Sequence, residues 1–225
     1  MWPSARSLWT ISRGGVKPPL VAGLWLLTGC ASPGPVAVRH PEYRPAEIRR
    51  PAVVLQVSLD QTGFGEGEFT SQERASIPDR FEAGLIDALN SQGIFPLDVA
   101  LTAQRAYRGT SNPIDRIDRA KALARARSLR ADVLLLVDMH LARADLVYCQ
   151  ETRRPFRARS RLLTVTLEVL RVSDGTRLLL EPPAGDQLLT DIEAECGRER
   201  SIRRLSMEEL AGAGISRALT LLLRR

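Results

Sequence analysis

The stretch "ADVLLLVDMHLARADLVY", residues 131–148, most restricts what this chain can fold into. It opens on the unbroken apolar run Val133 to Val137, then alternates Val137, Met139 and Leu141 with Asp138, His140 and Ala142. That pattern predicts a central, buried strand. The segment after it, "RARSRLLTVTLEVLRVSDGTRLLLE", reads as a hairpin. Leu163, Val165, Leu167 and Val169 alternate with Thr164, Thr166 and Glu168, Asp174-Gly175 makes the turn, and Arg177 to Leu180 returns.

Upstream, the pattern switches between strand and helix periods. Ala52 to Leu59 is rich in β-branched residues and predicts a buried strand. Ser76 is the expected N-cap of a first helix, with Pro78 in its first turn. Phe81, Leu85, Ala88 and Leu89 form that helix's inward stripe, and Gly93 its stop. "IFPLDVA" follows as a short strand whose Pro96 suggests a sheet edge. A second helix is expected from Asn112-Pro113 to about Leu129, with an Arg-rich solvated face that includes Asp115, Asp118 and Arg119. Another short strand is expected near Gln187 to Ile192. The last helix opens with the capping box Ser206-x-x-Glu209 and sets Ile215, Leu219, Leu222 and Leu223 on one face.

The order β-α-β-α-β-β-β-α predicts an α/β fold. Its early crossover gives parallel pairing and its hairpin adds antiparallel strands, so the sheet is mixed within a single three-layer-type domain. Gly63, Gly65 and Gly67 follow the first strand but do not make a phosphate loop. Glu66 and Glu68 sit among them, no Lys-Ser/Thr follows, and the helix starts late, so residues 60–76 read as a surface loop.

The N-terminal residues have a different character. Residues 1–19 carry Arg6, Arg13 and Lys17 and no acid, and Leu20 to Leu27 is apolar but too short to span a bilayer. This is the pattern of a secretory signal, and it ends in Leu27-Thr28-Gly29-Cys30, which resembles the lipobox of bacterial lipoproteins. The resemblance implies cleavage after residue 29 and acylation of Cys30, a membrane anchor. Ala31-Ser32 after the cysteine implies the outer membrane, facing the periplasm. Three regions are therefore expected: a signal peptide over 1–29, the lipidated Cys30 with a Pro-rich linker over 30–51, and a periplasmic domain over 52–225.

Loss of residues 1–29 lowers the formal net charge from +6 to +3, because three basic residues leave and no acid does. With few aromatics and no basic stripe, the mature chain does not read as a nucleic-acid binder. Cys149 and Cys196 remain, an even number in an oxidising compartment, and a disulfide between them is expected. It would close a loop of about 46 residues and contribute about 3–4 kcal/mol. Two free thiols or a metal pair are the alternatives, although His40 and His140 give no metal-ligand spacing. No nucleophile elbow, zinc spacing or paired His and Ser is visible, so no catalytic residue and no cofactor is expected. His140 reads as an ordinary exposed side chain.

The run of elements resembles the amino-terminal domain of TolB and its relatives among CsgG-, FlgO- and LpoB-type lipoproteins. "VVLQV", "FEAGLIDALNSQGIFPL", "ARSLRADVLLLVDMHL" and "VTLEVLRVSDGTRLLL" carry the likeness, over most of residues 52–223. That family often has Gly where this chain has Arg130, so the second helix must close here without an αL glycine. The resemblance implies a non-enzymatic adaptor or assembly factor that binds envelope proteins or peptidoglycan-associated machinery. The rival readings are an oligomeric export-pore component, hence a homo-oligomer, and a periplasmic enzyme.

Overall fold

The computed structural model describes residues 37–59, 71–104, 117–148, 155–181, 189–194 and 202–224. All belong to one unit, Pro35–Arg225. Its centre is β2 (Ala52–Leu59), buried along nearly its whole length. It pairs in parallel with β3 (Asp98–Gln104) on one side and β4 (Val133–Tyr148) on the other. β4, β5 (Pro155–Arg171) and β6 (Arg177–Glu181) form the expected antiparallel meander. β1 (Val38–Arg39) closes the far edge, giving the order β1-β6-β5-β4-β2-β3. β7 (Leu189–Thr190) adds to β5, and β8 (Ile192–Ala194) pairs with β9 (Ile202–Arg204) as a separate hairpin. The sheet is mixed and the fold is α/β.

Two helices cover one face. α1 (Ser71–Ser91) and α3 (Met207–Leu223) bury Phe81, Leu85, Leu89, Leu210, Ile215 and Leu222 against the odd-numbered residues of β2, β4 and β5. α3 lies close against both α1 and the sheet: a Cβ added to Gly84 would lie 2.6 Å from Ile215 Cδ1, and one on Gly214 would lie 2.5 Å from Leu163 Cδ2 of β5. α2 (Arg119–Ser128) covers part of the opposite face, packing Ala126 and its neighbours on Ala52, Val54, Leu134 and Leu136. Helices, sheet and helix make three layers.

Several boundaries differ from those expected. α1 starts at Ser71, so Pro78 lies inside it rather than in its first turn. Proline there loses its own N–H bond, which made it read as a start signal. α2 is capped by Asp118, whose side chain accepts from Lys121 N at 3.0 Å, and its end does close on a residue in the left-handed region. That residue is Arg130, at φ 55°. Asn112 and Pro113, expected as its start, lie outside the described residues.

Residues 38–51, expected as linker, are part of the fold. β1 pairs with β6, a 3-10 turn follows at Pro45–Glu47, and Tyr43 and Ile48 are buried in the main core. The Tyr43 hydroxyl donates to Leu222 O at 2.5 Å and so satisfies a carbonyl near the end of α3. Burial holds this phenol well above its ordinary pKa. The prolines among residues 31–51 hide this segment's order from a periodicity reading.

Candidate functional site: a polar strip and an arginine cavity

Beyond the amino end of α2 the sheet face turns polar. Cross-strand register sets Gln56 beside Asp138 and Asp138 beside Thr166, and then Ser58 beside His140 and His140 beside Thr164. Gln56 and Ser58 sit toward the carboxyl end of β2, while Asp138 and His140 lie in the first half of the longer β4. Gln56 Nε2 donates to Asp138 Oδ1 at 2.6 Å, with both residues buried. Ser58 Oγ lies 2.9 Å from His140 Nδ1. Thr166 is 1% exposed, and its hydroxyl has no hydrogen-bond partner among the described residues.

Below the strip, Glu168 is fully buried between two arginines. Arg119, the first residue of α2, donates to its Oε2 from Nε at 3.1 Å and from Nη2 at 2.9 Å. Arg177 of β6 donates to Oε1 at 2.5 Å. Arg119 therefore faces the sheet, where a solvated helix face was expected. A carboxylate buried at this depth is tolerable only because both its oxygens accept charged donors.

His140 is half-buried and joined to Ser58, so it is neither the ordinary exposed side chain expected nor unpaired with serine. A hydroxyl bonded to an imidazole is the start of a nucleophile–base pair. Ser58, however, is only 1% exposed, which closes the hydroxyl to a substrate approaching from solvent. The pair joins β2 to β4.

A second assembly sits where β5 meets the β8–β9 hairpin. Asp191, 1% exposed, is its hub. Asp191 Oδ1 accepts from Arg161 N at 2.7 Å, while Oδ2 stands 3.6 Å from both Arg161 Nε and Arg204 Nη1. Arg204 Nη2 donates to Arg159 O at 2.8 Å. The backbone braces the same point: Asp191 N donates to Arg161 O at 3.1 Å and Leu205 N to Asp191 O at 2.8 Å. Arg159, Ser160, Arg161 and Arg204 line a cavity of about 310 Å³ beside it.

Cys30, Cys149 and Cys196, and the glycines of loop 60–76, lie outside the described residues. Among the described residues no group of three or more His, Cys, Asp or Glu side chains could hold a metal, and no helix is long and apolar enough to cross a membrane. Neither the strip nor the cavity was anticipated from the sequence. The one available signal is that Gln56, Asp138, Thr166 and Glu168 interrupt otherwise apolar strands, and they meet only once the register is known.

No family model matches this chain, and no curated protein matches it. Among solved structures, the PelC dodecamer from Paraburkholderia phytofirmans is similar at 19% identity and a TM-score of 0.39, covering 84% of this chain and 96% of that one. A hemagglutinin homolog from Helicobacter pylori is similar at 7% identity and a TM-score of 0.32, over 81% of this chain and 92% of that one. Likenesses of this size carry no argument about what this chain does.

Proposed function

We propose that this chain is an outer-membrane lipoprotein, held through an acylated Cys30, whose periplasmic α/β domain works as an adaptor or assembly factor by binding envelope proteins or peptidoglycan-associated machinery. The observation that carries the reading is the run Leu24 to Cys30, an apolar stretch ending in Leu27-Thr28-Gly29-Cys30, so close ahead of the folded unit. β1 begins at Val38, so the tether is far shorter than the linker expected over 31–51. The seven residues 31–37 reach at most about 25–30 Å when fully extended. An acyl anchor at Cys30 would therefore concentrate the domain at the membrane surface rather than let it range through the periplasm.

In this reading Cys149 and Cys196 form a disulfide, and the domain needs no cofactor. A homo-oligomer is compatible with it, and the TolB-type resemblance supports action by contact. The test is a crosslinking pull-down from intact cells, with the wild type beside Cys30→Ala and incorporation of an alkyne-tagged fatty acid as the acylation readout. Label on the wild type alone, with envelope proteins recovered only from it, is the expected result. An unlabelled wild type found as a soluble species overturns the anchor. Recovery of nothing but the protein itself in a large multimer favours the pore reading.

The Ser58–His140 contact is the one observation that favours the enzyme reading. Labelling of Ser58 by a fluorophosphonate probe, abolished in Ser58→Ala, would establish it. Burial of the serine predicts no labelling.

A further inference from the structure

The helices and the segment before β2 converge on one end of the sheet, where β2 and β4 begin and β5 finishes. Residues 40–50 cross that end. The Tyr43 hydroxyl bonds to Leu222 O near the close of α3, and Phe95 N, shortly after α1, donates to Arg49 O at 2.7 Å. α2 closes there at Arg130, and Val172 N donates to Asp132 O at 3.1 Å. Between the last turns of α1 and α3 lies an open groove of about 540 Å³, whose walls include Gln92, Leu219, Leu223 and Arg224.

This end combines positive charge with exposed apolar groups. Arg49, Arg50, Arg130 and Arg224 are exposed and meet no acidic side chain among the described residues. Of the acids nearby, Glu42 and Asp174 are both paired with Arg171, which leaves Glu47 and Asp132, so positive charge is in excess. Arg130 and Arg224 complement the carboxyl ends of α2 and α3. Arg49 and Arg50 end no helix of that kind. Arg49 Nη1 makes a long bond of 3.4 Å to Ile48 O, and Arg50 has no side-chain partner among the described residues. Beside them Phe95 is 59% exposed; with Val38, 41% exposed, it makes up the exposed large hydrophobic residues among those described. Val38 lies two positions before His40, so the tether joins the fold close to this same end.

We propose that this end of the domain docks on an anionic phospholipid surface, that of the membrane holding Cys30, through Arg49, Arg50 and Phe95. Cations flanking an exposed ring are the chemistry of an interfacial contact: the ring enters the headgroup boundary and the guanidinium groups meet phosphates. The short tether keeps this end near the bilayer, so the contact is effectively intramolecular once the anchor is in place. Docking would turn the carboxyl end of β2 away from the membrane, toward partners in the periplasm. The proposal rests on the lipoprotein reading for the membrane it names, and its test removes the anchor, so the two fail separately.

The test is flotation of the full-length chain carrying Cys30→Ala, made by cell-free synthesis in the presence of vesicles. The vesicles are phosphatidylcholine alone or with about a third phosphatidylglycerol. Without the acylation site, flotation reads the domain's surface and the leader, and the leader with its own cations is identical in every variant. Stronger binding to the phosphatidylglycerol vesicles is expected. Arg49→Gln with Arg50→Gln should lower that binding about tenfold or more, at about fivefold for each cation near an anionic surface, and leave binding to phosphatidylcholine unchanged. Phe95→Ser should lower binding to both vesicles, and Phe95→Trp should keep it. Arg203→Gln, which removes a charge beside the amino end of α3, should change neither. Circular dichroism checks that each variant is folded. Equal binding to the two vesicles, or folded Arg49/Arg50 or Phe95→Ser chains that bind as the unaltered chain does, overturn the proposal. A loss from Arg203→Gln as large as that from the Arg49/Arg50 pair also overturns it, as attraction without a docking face.

Discussion

On the side of α1 and α3 the sheet presents Val53, Leu55 and Val57, then Leu135, Val137 and Met139, then Val165 and Leu167, all buried. On the side of α2 the same three strands present Ala52 and Val54, then Gln56 and Ser58; Leu134 and Leu136, then Asp138; and Glu168 and Thr166. The difference follows helix length. α1 and α3 have 21 and 17 residues and cover their face, whereas α2 has 10 and leaves part of its face to other groups. Where a helix lies on a strand, dispersion and the hydrophobic effect hold the layers. Where none does, the buried side chains hold one another through hydrogen bonds, whose net value is smaller and depends on every partner being present.

The largest effect should come from the apolar face. Phe81 is fully buried between α1, α3 and the sheet. Phe81→Ala should cost about 3–5 kcal/mol, from lost burial and the cavity left behind. Urea denaturation reads this as a lower midpoint at unchanged slope. A cost below that of the next variant would break the comparison.

On the α2 face, Glu168→Gln keeps the shape and removes the charge from a group that accepts three arginine N–H bonds. The expected cost is about 1–3 kcal/mol. It should stay under the Phe81 figure because Arg119 and Arg177 side chains are 30% and 43% exposed and can recover water. Raising salt should narrow the gap between variant and wild type only slightly, since a buried carboxylate is poorly screened.

These two positions also separate what the sequence makes legible from what it hides. Phe81 lies on a stripe at helical spacing, and the β4–β5–β6 meander is written in alternation, so the apolar face can be read from local periodicity. Glu168 meets Arg119 across 49 positions, and Ser58 meets His140 across 82. No local pattern encodes such a meeting; it appears only when strand register is fixed. β1 and the buried Tyr43 escape a sequence reading because prolines mask periodicity, and β9 because three residues carry too little of it. The arginine cavity joins strands far apart in sequence around Asp191, which reads on its own as one more polar residue in the short strand expected near Gln187 to Ile192.

The third variant changes sign. Thr166 Oγ1 is buried and lacks a partner among the described residues, so it bears a desolvation cost with no bond in return. Thr166→Val should stabilise by about 1 kcal/mol, by removing that hydroxyl at nearly equal volume. Thermal unfolding would show it as a raised Tm. A lowered Tm would mean that the hydroxyl takes part in the strip's network, and the polar face would then be better satisfied than the comparison holds.

The smallest effect contrasts how helices on the two faces end. α1 closes with Gly93 N donating to Asn90 O and Ile94 N to Leu89 O, and Gly93 has φ 72°. α2 closes in the same pattern, with Arg130 N donating to Arg127 O and Ala131 N to Ala126 O, but Arg130 takes the left-handed position at φ 55°. The motif is the same while the residue suits it in only one case, because a Cβ is crowded there. Arg130→Gly should therefore stabilise by about 0.5–1 kcal/mol after the added unfolded-state entropy of glycine is counted. Gly93→Ala should destabilise by about 1 kcal/mol. A Cβ at Gly93 would meet nothing within 4 Å, so backbone strain alone sets that cost. Measured together by urea denaturation, the two substitutions should move stability in opposite directions and nearly cancel in the double variant, since the helix ends share no backbone hydrogen-bond partner among the described residues. If Arg130→Gly destabilises instead, the arginine side chain contributes more at the end of α2 than its backbone strain costs, and the smaller face is held partly by its charged rim.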